Sequence, residues 1–185
     1  MIRVLRLTLV SHAMTDAMAA GRFPDDEPIN SVGRHQLLAL SRDFVPRDPA
    51  QRQLAGPELR ARQSAQALGL HADTESRLAD LNYGLWRGKA LTGISGDDMH
   101  AWMTDPGAAP HGGESILDLI KRVSSWLYSL EADTSATVAV THPAVIRAAV
   151  LAALDADPQS FWRIDVAPAG STVMHRRGGR WTLRL

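Results

Sequence analysis

Two of the seven histidines stand where a side chain could act on a ligand. His12 closes an apolar, branched run over residues 4–10, after Ser11, and His142 closes a second run over 137–141. An imidazole can carry a proton near neutrality, attack as a nucleophile or hydrogen-bond an anion. Two of them ending the two most apolar segments make a specific pattern, set against the plainer reading of buried, hydrogen-bonded histidines. His35, His71, His100, His111 and His175 show no ligand spacing and receive no role. The chain has no cysteine, which excludes disulfides, thiolate metal sites and a cysteine nucleophile.

These side chains need a frame. Each apolar run reads as a buried strand of a parallel sheet, where ligands gather at the carboxyl ends of the strands. If the two strands are neighbours, the two imidazoles face one another across that crevice. Asn30 caps a helix over 31–44 with Leu37, Leu40 and Phe44 on one face, and Pro46 and Pro49 then break the chain. A short strand over 53–55 leads through Gly56 and Pro57 into a helix over 59–68 that Gly69 terminates. Residues 78–113 are rich in glycine and proline, with one short helix over 97–103. Ser115 and Asp118 form a capping box for a helix whose Ile116, Leu119, Ile120, Val123, Trp126, Leu127 and Leu130 recur at helical spacing. A nearly all-apolar helix over 144–154 and a terminal hairpin over 171–175 and 180–185 complete the order. The pattern predicts a three-layer α/β/α sandwich with a mostly parallel central sheet, built as one domain over 1–185 with a loop-rich insertion at about 78–113.

Six segments in register resemble the histidine phosphatase (phosphoglycerate mutase-like) superfamily. LVSHAMT at 9–15 is similar to its LVRHGET signature, and GRF at 21–23 with EPINSVG at 27–33 to the segment that follows. GPELRARQSAQAL at 56–68 resembles SPLxRAxQTAxxL, and LADLNYGLWRG at 78–88 resembles LxExxxGxWEG. PHGGES at 110–115 resembles PPGGES, and VAVTHPAVIRAAV at 138–150 resembles VVSHGGVIRALL. The resemblance implies that His12 takes up a phosphoryl group, that Arg60 and His142 hold its oxygens, and that Asp80 protonates the leaving oxygen. Glu114 is a substitute acid, with a favourable charge at a helix N-terminus as the alternative. Asp80 has the alternative of a loop-capping carboxylate. Arg62 reads as a solvent-facing charge.

The chain departs from the family pattern around the same pocket. Ser11 replaces the arginine before the nucleophile, and a hydroxyl brings a hydrogen bond but no charge. Loss of one such donor costs on the order of 10²–10³ in rate. Ala13 stands for a glycine and is compatible only with negative φ. Met18 stands for an asparagine, Asp80 for a glutamate and Pro143 for a glycine. Thr15 is left as a possible hydroxyl donor to substrate or a turn-stabilising group. Arg22 is the candidate cation to make up for Ser11, while Arg147 packs against structure and Arg34 is solvated. Trp86 and Trp102 fill core rather than wall the pocket. His12, His142 and Asp80 have ligand types that suit zinc, but Arg60 in the same pocket sets a fixed cation against one.

Lysine plus arginine equals aspartate plus glutamate, 20 against 20, which removes the electrostatic case for nucleic acid or an anionic membrane surface. Arg3 and Arg6 interrupt the first apolar run, so no signal peptide is read there and the expectation is a cytoplasmic protein. The expected activity is a phosphomonoester hydrolase acting through a phosphohistidine, with no cofactor and no metal, on a small phosphorylated substrate. It is weakened by Ser11. The alternatives are a pseudophosphatase that binds inorganic phosphate or a phosphorylated ligand, and a phosphoglycerate mutase-type phosphotransferase. Sequence does not give the oligomeric state.

Overall fold

A computed structural model describes residues 4–41, 51–130 and 136–184. Six strands form one mixed sheet in the order β3-β2-β4-β1-β5-β6. The strands are β1 (Leu5–Ser11), β2 (Arg52–Ala55), β3 (Asp73–Thr74), β4 (Ala136–Thr141), β5 (Ser171–Arg177) and β6 (Arg180–Arg184). The first four run parallel, and β5 and β6 form the antiparallel edge that the terminal hairpin predicts. The helices are α1 (Asp16–Ala19), α2 (Ser31–Ser41), α3 (Leu59–Ala67), α4 (Gly96–Thr104), α5 (Ile116–Ser129) and α6 (Pro143–Leu154).

The sheet is covered on both faces, and the alternation along β1 decides which side chain goes where. Leu5, Leu7 and Leu9 enter a core with Val123, Trp126 and Leu127 of α5 and Val145, Ala148 and Ala149 of α6. Val10 joins Val138 and Val140 of β4 on the opposite face, packed with Leu37 of α2 and Ala65 of α3. Both faces being apolar explains why β1 and β4 read as continuous hydrophobic runs.

The expected caps are present. Asn30 Oδ1 accepts from the Gly33 amide, and Ser115 Oγ accepts from the Asp118 amide while donating to the Asp118 carboxylate. The spacing predicts the Asn30-capped helix to residue 44; α2 is described to Ser41, and Phe44 with the breaking prolines Pro46 and Pro49 lies outside the described residues. The spacing does not show α1 and β3, of 4 and 2 residues, which are too short for a periodic signal.

The glycine-rich insertion is a packed loop. Leu85 donates to the His111 carbonyl and Glu114 to the Asn82 carbonyl, so its two ends lie backbone on backbone. Gly84 permits this: its φ is +46°, and a Cβ there would overlap the His111 carbonyl. Beneath it Phe23, Tyr83, Trp86, Trp102 and Trp162 pack ring against ring. Trp86 and Trp102 are therefore core, as their buried rings show.

Candidate active site

β1 and β4 are parallel neighbours, and their last paired residues are Ser11 and Thr141. His12 and His142 each follow by one position, so the register sets the two imidazoles side by side. Their ring centroids are 5.2 Å apart with planes at 61°. The His12 amide extends the ladder by donating to the Thr141 carbonyl at 2.8 Å.

The chain after His12 is tied down from two helices. The Ala13 amide donates to Ser64 Oγ of α3, and the Met14 amide to Gln36 Oε1 of α2. Gly33 lets α2 approach, because a Cβ there would overlap the Met14 carbonyl. Ala13 has negative φ, so its side chain fits where a glycine was the pattern. The His12 Nδ1–H donates to the Ala13 carbonyl at 2.8 Å. That bond fixes the tautomer and leaves the lone pair on Nε2. Burial lowers the His12 imidazolium to about pH 3, helped by the charges of His142 and Arg60, so the ring is neutral at pH 7.

Arg60 sits in the first turn of α3 with only 2% of its surface exposed. Its Nη2 donates to Asp80 Oδ2 at 2.7 Å, while its buried Nε and Nη1 have no hydrogen-bond partner among the described residues. Buried guanidinium donors left free in this way suit an incoming anion. Asp80 Oδ1 accepts from the Leu81 amide, and Oδ2 stands 3.5 Å from His142 Nδ1. Glu58 faces the other side of His142, with Oε2 2.7 Å from Nε2. Its Oε1 accepts from the Asp80 amide at 3.0 Å.

A cleft of about 240 Å³ opens over these groups, lined among others by His12, Arg22, Arg60, Asp80, Tyr83 and Arg147. Arg147 is braced by a bond from Nε to the Ile164 carbonyl and by the rings of Phe161 and Trp162 at 5.7 and 5.6 Å. Neither Arg22 nor Arg147 has a carboxylate within 4 Å among the described residues. His12, His142 and Asp80 do not form a group that would hold a metal ion.

The structure thus gathers His12, Arg60, Asp80, His142 and Arg22 of the residues singled out in the sequence. Three others lie elsewhere. Glu114 is bound by both carboxylate oxygens to Arg122, at 2.8 and 2.7 Å, and is absent from the cleft lining. Thr15 is fully buried and caps α1 by accepting from the Met18 amide. Ser11 is fully buried on the other side of β1 from His12, with Oγ donating to the His12 carbonyl at 3.3 Å. Glu58 was missed in the sequence, because a glutamate just before a helix reads as a cap. It has the extended backbone of an N-cap but makes no cap bond, its carboxylate being turned to His142 and Asp80.

Comparisons with known proteins match residues 7–185 to the histidine phosphatase superfamily (branch 1). Phosphoserine phosphatase 1 of Hydrogenobacter thermophilus is 28% identical over 187 residues, covering 93% of this chain and 87% of that one. A glucosyl-3-phosphoglycerate phosphatase of Mycolicibacterium vanbaalenii is 30% identical, covering 88% and 80%. Among solved structures, a mycobacterial glucosyl-3-phosphoglycerate phosphatase complexed with VO3 superposes with a TM-score of 0.85, at 25% identity and 97% coverage of both chains. A phosphoserine phosphatase mutant of Entamoeba histolytica in complex with phosphoserine shares the fold, with a TM-score of 0.87 at 20% identity over 97% and 94% of the two chains.

Proposed function

Because the chain belongs to the histidine phosphatase superfamily, we propose that it is a phosphomonoester hydrolase that works through a phosphohistidine on His12. The observation that carries this is the buried pair of imidazoles with the unpartnered Arg60 donors beside them. The neutral His12 Nε2 attacks phosphorus, forming an N–P bond as the ester P–O bond breaks. Arg60 and the Nδ1–H of His142 hold the equatorial oxygens, whose charge grows in the transition state. The Asp80 carboxyl gives its proton to the leaving oxygen. Water then attacks phosphorus, the N–P bond breaks, and Asp80 takes up the proton that water loses. In the empty site Asp80 is paired with Arg60. An arriving phosphate ester competes for that guanidinium, and its monoanionic form hands the freed Asp80 carboxylate the proton that Asp80 then gives to the leaving oxygen.

The substrate class is a small phosphorylated metabolite that carries a second anionic group. Arg22 and Arg147, both in the cleft and without a carboxylate partner among the described residues, suit that group. The names of the relatives, phosphoserine and glucosyl-3-phosphoglycerate phosphatases, agree with it. Ser11 adds no charge, so turnover is slow beside an enzyme with a second fixed guanidinium at the phosphoryl group. Its hydroxyl contacts backbone and not the cleft.

The test is turnover of an aryl phosphate alongside His12→Ala. Wild type should release phosphate and, quenched during turnover, carry an acid-labile phosphoryl group that His12→Ala lacks. Binding of inorganic phosphate without turnover or labelling would instead support the pseudophosphatase reading.

A further inference from the structure

The His142 ring is fully buried, and both of its nitrogens face carboxylate oxygens. Nε2 is 2.7 Å from Glu58 Oε2. Nδ1 is 3.5 Å from Asp80 Oδ2, too far for a hydrogen bond, and has no other partner among the described residues. A neutral ring would turn a lone pair on one of the two carboxylates, whereas a doubly protonated ring offers a proton to each. We propose that Glu58 is a positioning residue that keeps His142 doubly protonated, so that Nδ1–H is a cationic donor aimed at the transferring phosphoryl group. The proposal rests on the phosphohydrolase reading for what the donor serves.

Among the described residues, three titratable groups stand against this ring, His12, Glu58 and Asp80, and Arg60 is bonded to the last of them. His12 comes from the end of β1, Glu58 and Arg60 from the start of α3, and Asp80 from the loop after the 3-10 turn Ser76–Leu78. His12 is neutral at pH 7, so the charges around the ring are two carboxylates and one guanidinium. Burial works against ionisation of Glu58, yet the hydrogen bond and charge of His142 outweigh it and hold the carboxyl down at about 2.

Local construction serves the same pair. A Cβ on Gly56 would lie 3.0 Å from His142 Nε2 and 3.3 Å from Glu58 Oε2, so glycine leaves room for them to meet. The second oxygen of Glu58 holds the Asp80 amide, so one carboxylate fixes both the phosphoryl donor and the loop of the acid. In the family pattern the residue at 58 is a leucine and the residue at 11 an arginine. Here a serine at 11 is joined by a glutamate at 58, and the second positive charge at the phosphoryl group stands on His142.

The experiment is ¹⁵N NMR of the histidine side chains of the wild-type chain at pH 7, with inorganic phosphate titrated into wild type and Glu58→Gln. Both His142 nitrogens should be protonated in wild type. Glu58→Gln keeps an acceptor for Nε2–H but removes the charge. It should leave the ring neutral and weaken phosphate binding about 10- to 100-fold. An unprotonated His142 nitrogen in wild type at pH 7 would overturn the proposal, and so would unchanged phosphate affinity in Glu58→Gln. A doubly protonated ring with Glu58-dependent phosphate affinity supports it even in a chain without turnover, an outcome that counts against the hydrolase reading alone.

Discussion

His12 and Asp80 divide the chemistry of the proposed reaction, and each can be addressed by itself. The nucleophile is already neutral at pH 7, since burial holds its protonated form down to about pH 3. The acid limb of kcat/KM between pH 5 and 8 is therefore expected to follow the substrate or another enzyme group, not His12. A pH profile with two phosphate esters of different phosphate acidity separates these, because a limb set by substrate moves with the ester. Asp80 is needed when the leaving oxygen is poorly stabilised as an anion. Asp80→Asn should lower kcat on an alkyl phosphate by about 10²–10⁴-fold. On p-nitrophenyl phosphate, whose leaving group departs without protonation, the loss should be much smaller. Equal losses on both substrates would assign Asp80 to holding Arg60 instead of to proton transfer. Glu114 has no part in either step, its carboxylate being committed to Arg122.

The elements that hold these residues were legible where a physical signal repeats along the sequence. The apolar runs gave β1 and β4, and α5 announced itself by seven apolar positions at helical spacing behind a capping serine. Ser115→Ala should cost about 1 kcal/mol of unfolding free energy, measured by denaturant titration, without changing the site. What sequence could not give was close approach. Gly33 reads as an ordinary weak position in a helix, yet its missing side chain lets α2 reach the Met14 carbonyl and so fix the loop after His12. Gly33→Ala is expected to cost about 1–3 kcal/mol from overpacking and to lower turnover as well. Loss of stability with kcat intact would show that the loop holds its shape without α2. Residues 78–113 read as a loop-rich insertion because their glycines carry no periodicity. Their order comes from backbone contact between residues 82–85 and 111–114, and from aromatic side chains supplied by distant parts of the chain.

Over the whole molecule the site is an ionisable cluster inside an apolar fold, and acid should open the fold through it. The His12 pKa is lowered from 6.5 to about 3, so the unfolded chain takes up this proton first. Its contribution to stability is complete above pH 6.5 and is lost as pH falls toward 3. Glu58, lowered from 4.5 to about 2, adds a loss that begins near pH 4.5 and is complete below about 2. Unfolding midpoints measured from pH 7 to 3 should therefore decline, and His12→Asn should flatten the upper part of that decline. The neighbouring strand ends predicted from His12 and His142 are real neighbours. The grouping of Arg60 and Asp80 with them came from resemblance, since nothing in the spacing of residues 60, 80 and 142 places them together. Glu58 escaped both routes, because its partner is 84 residues away and its position imitates a helix cap. All of this converges on a single anion site between the two imidazoles. A crystal structure with orthovanadate bound tests it most directly. The account predicts vanadium bonded to His12 Nε2, with its oxygens contacted by Arg60 Nη1 and His142 Nδ1. Vanadate seated elsewhere in the cleft, or bonded to a nitrogen other than His12 Nε2, would contradict it.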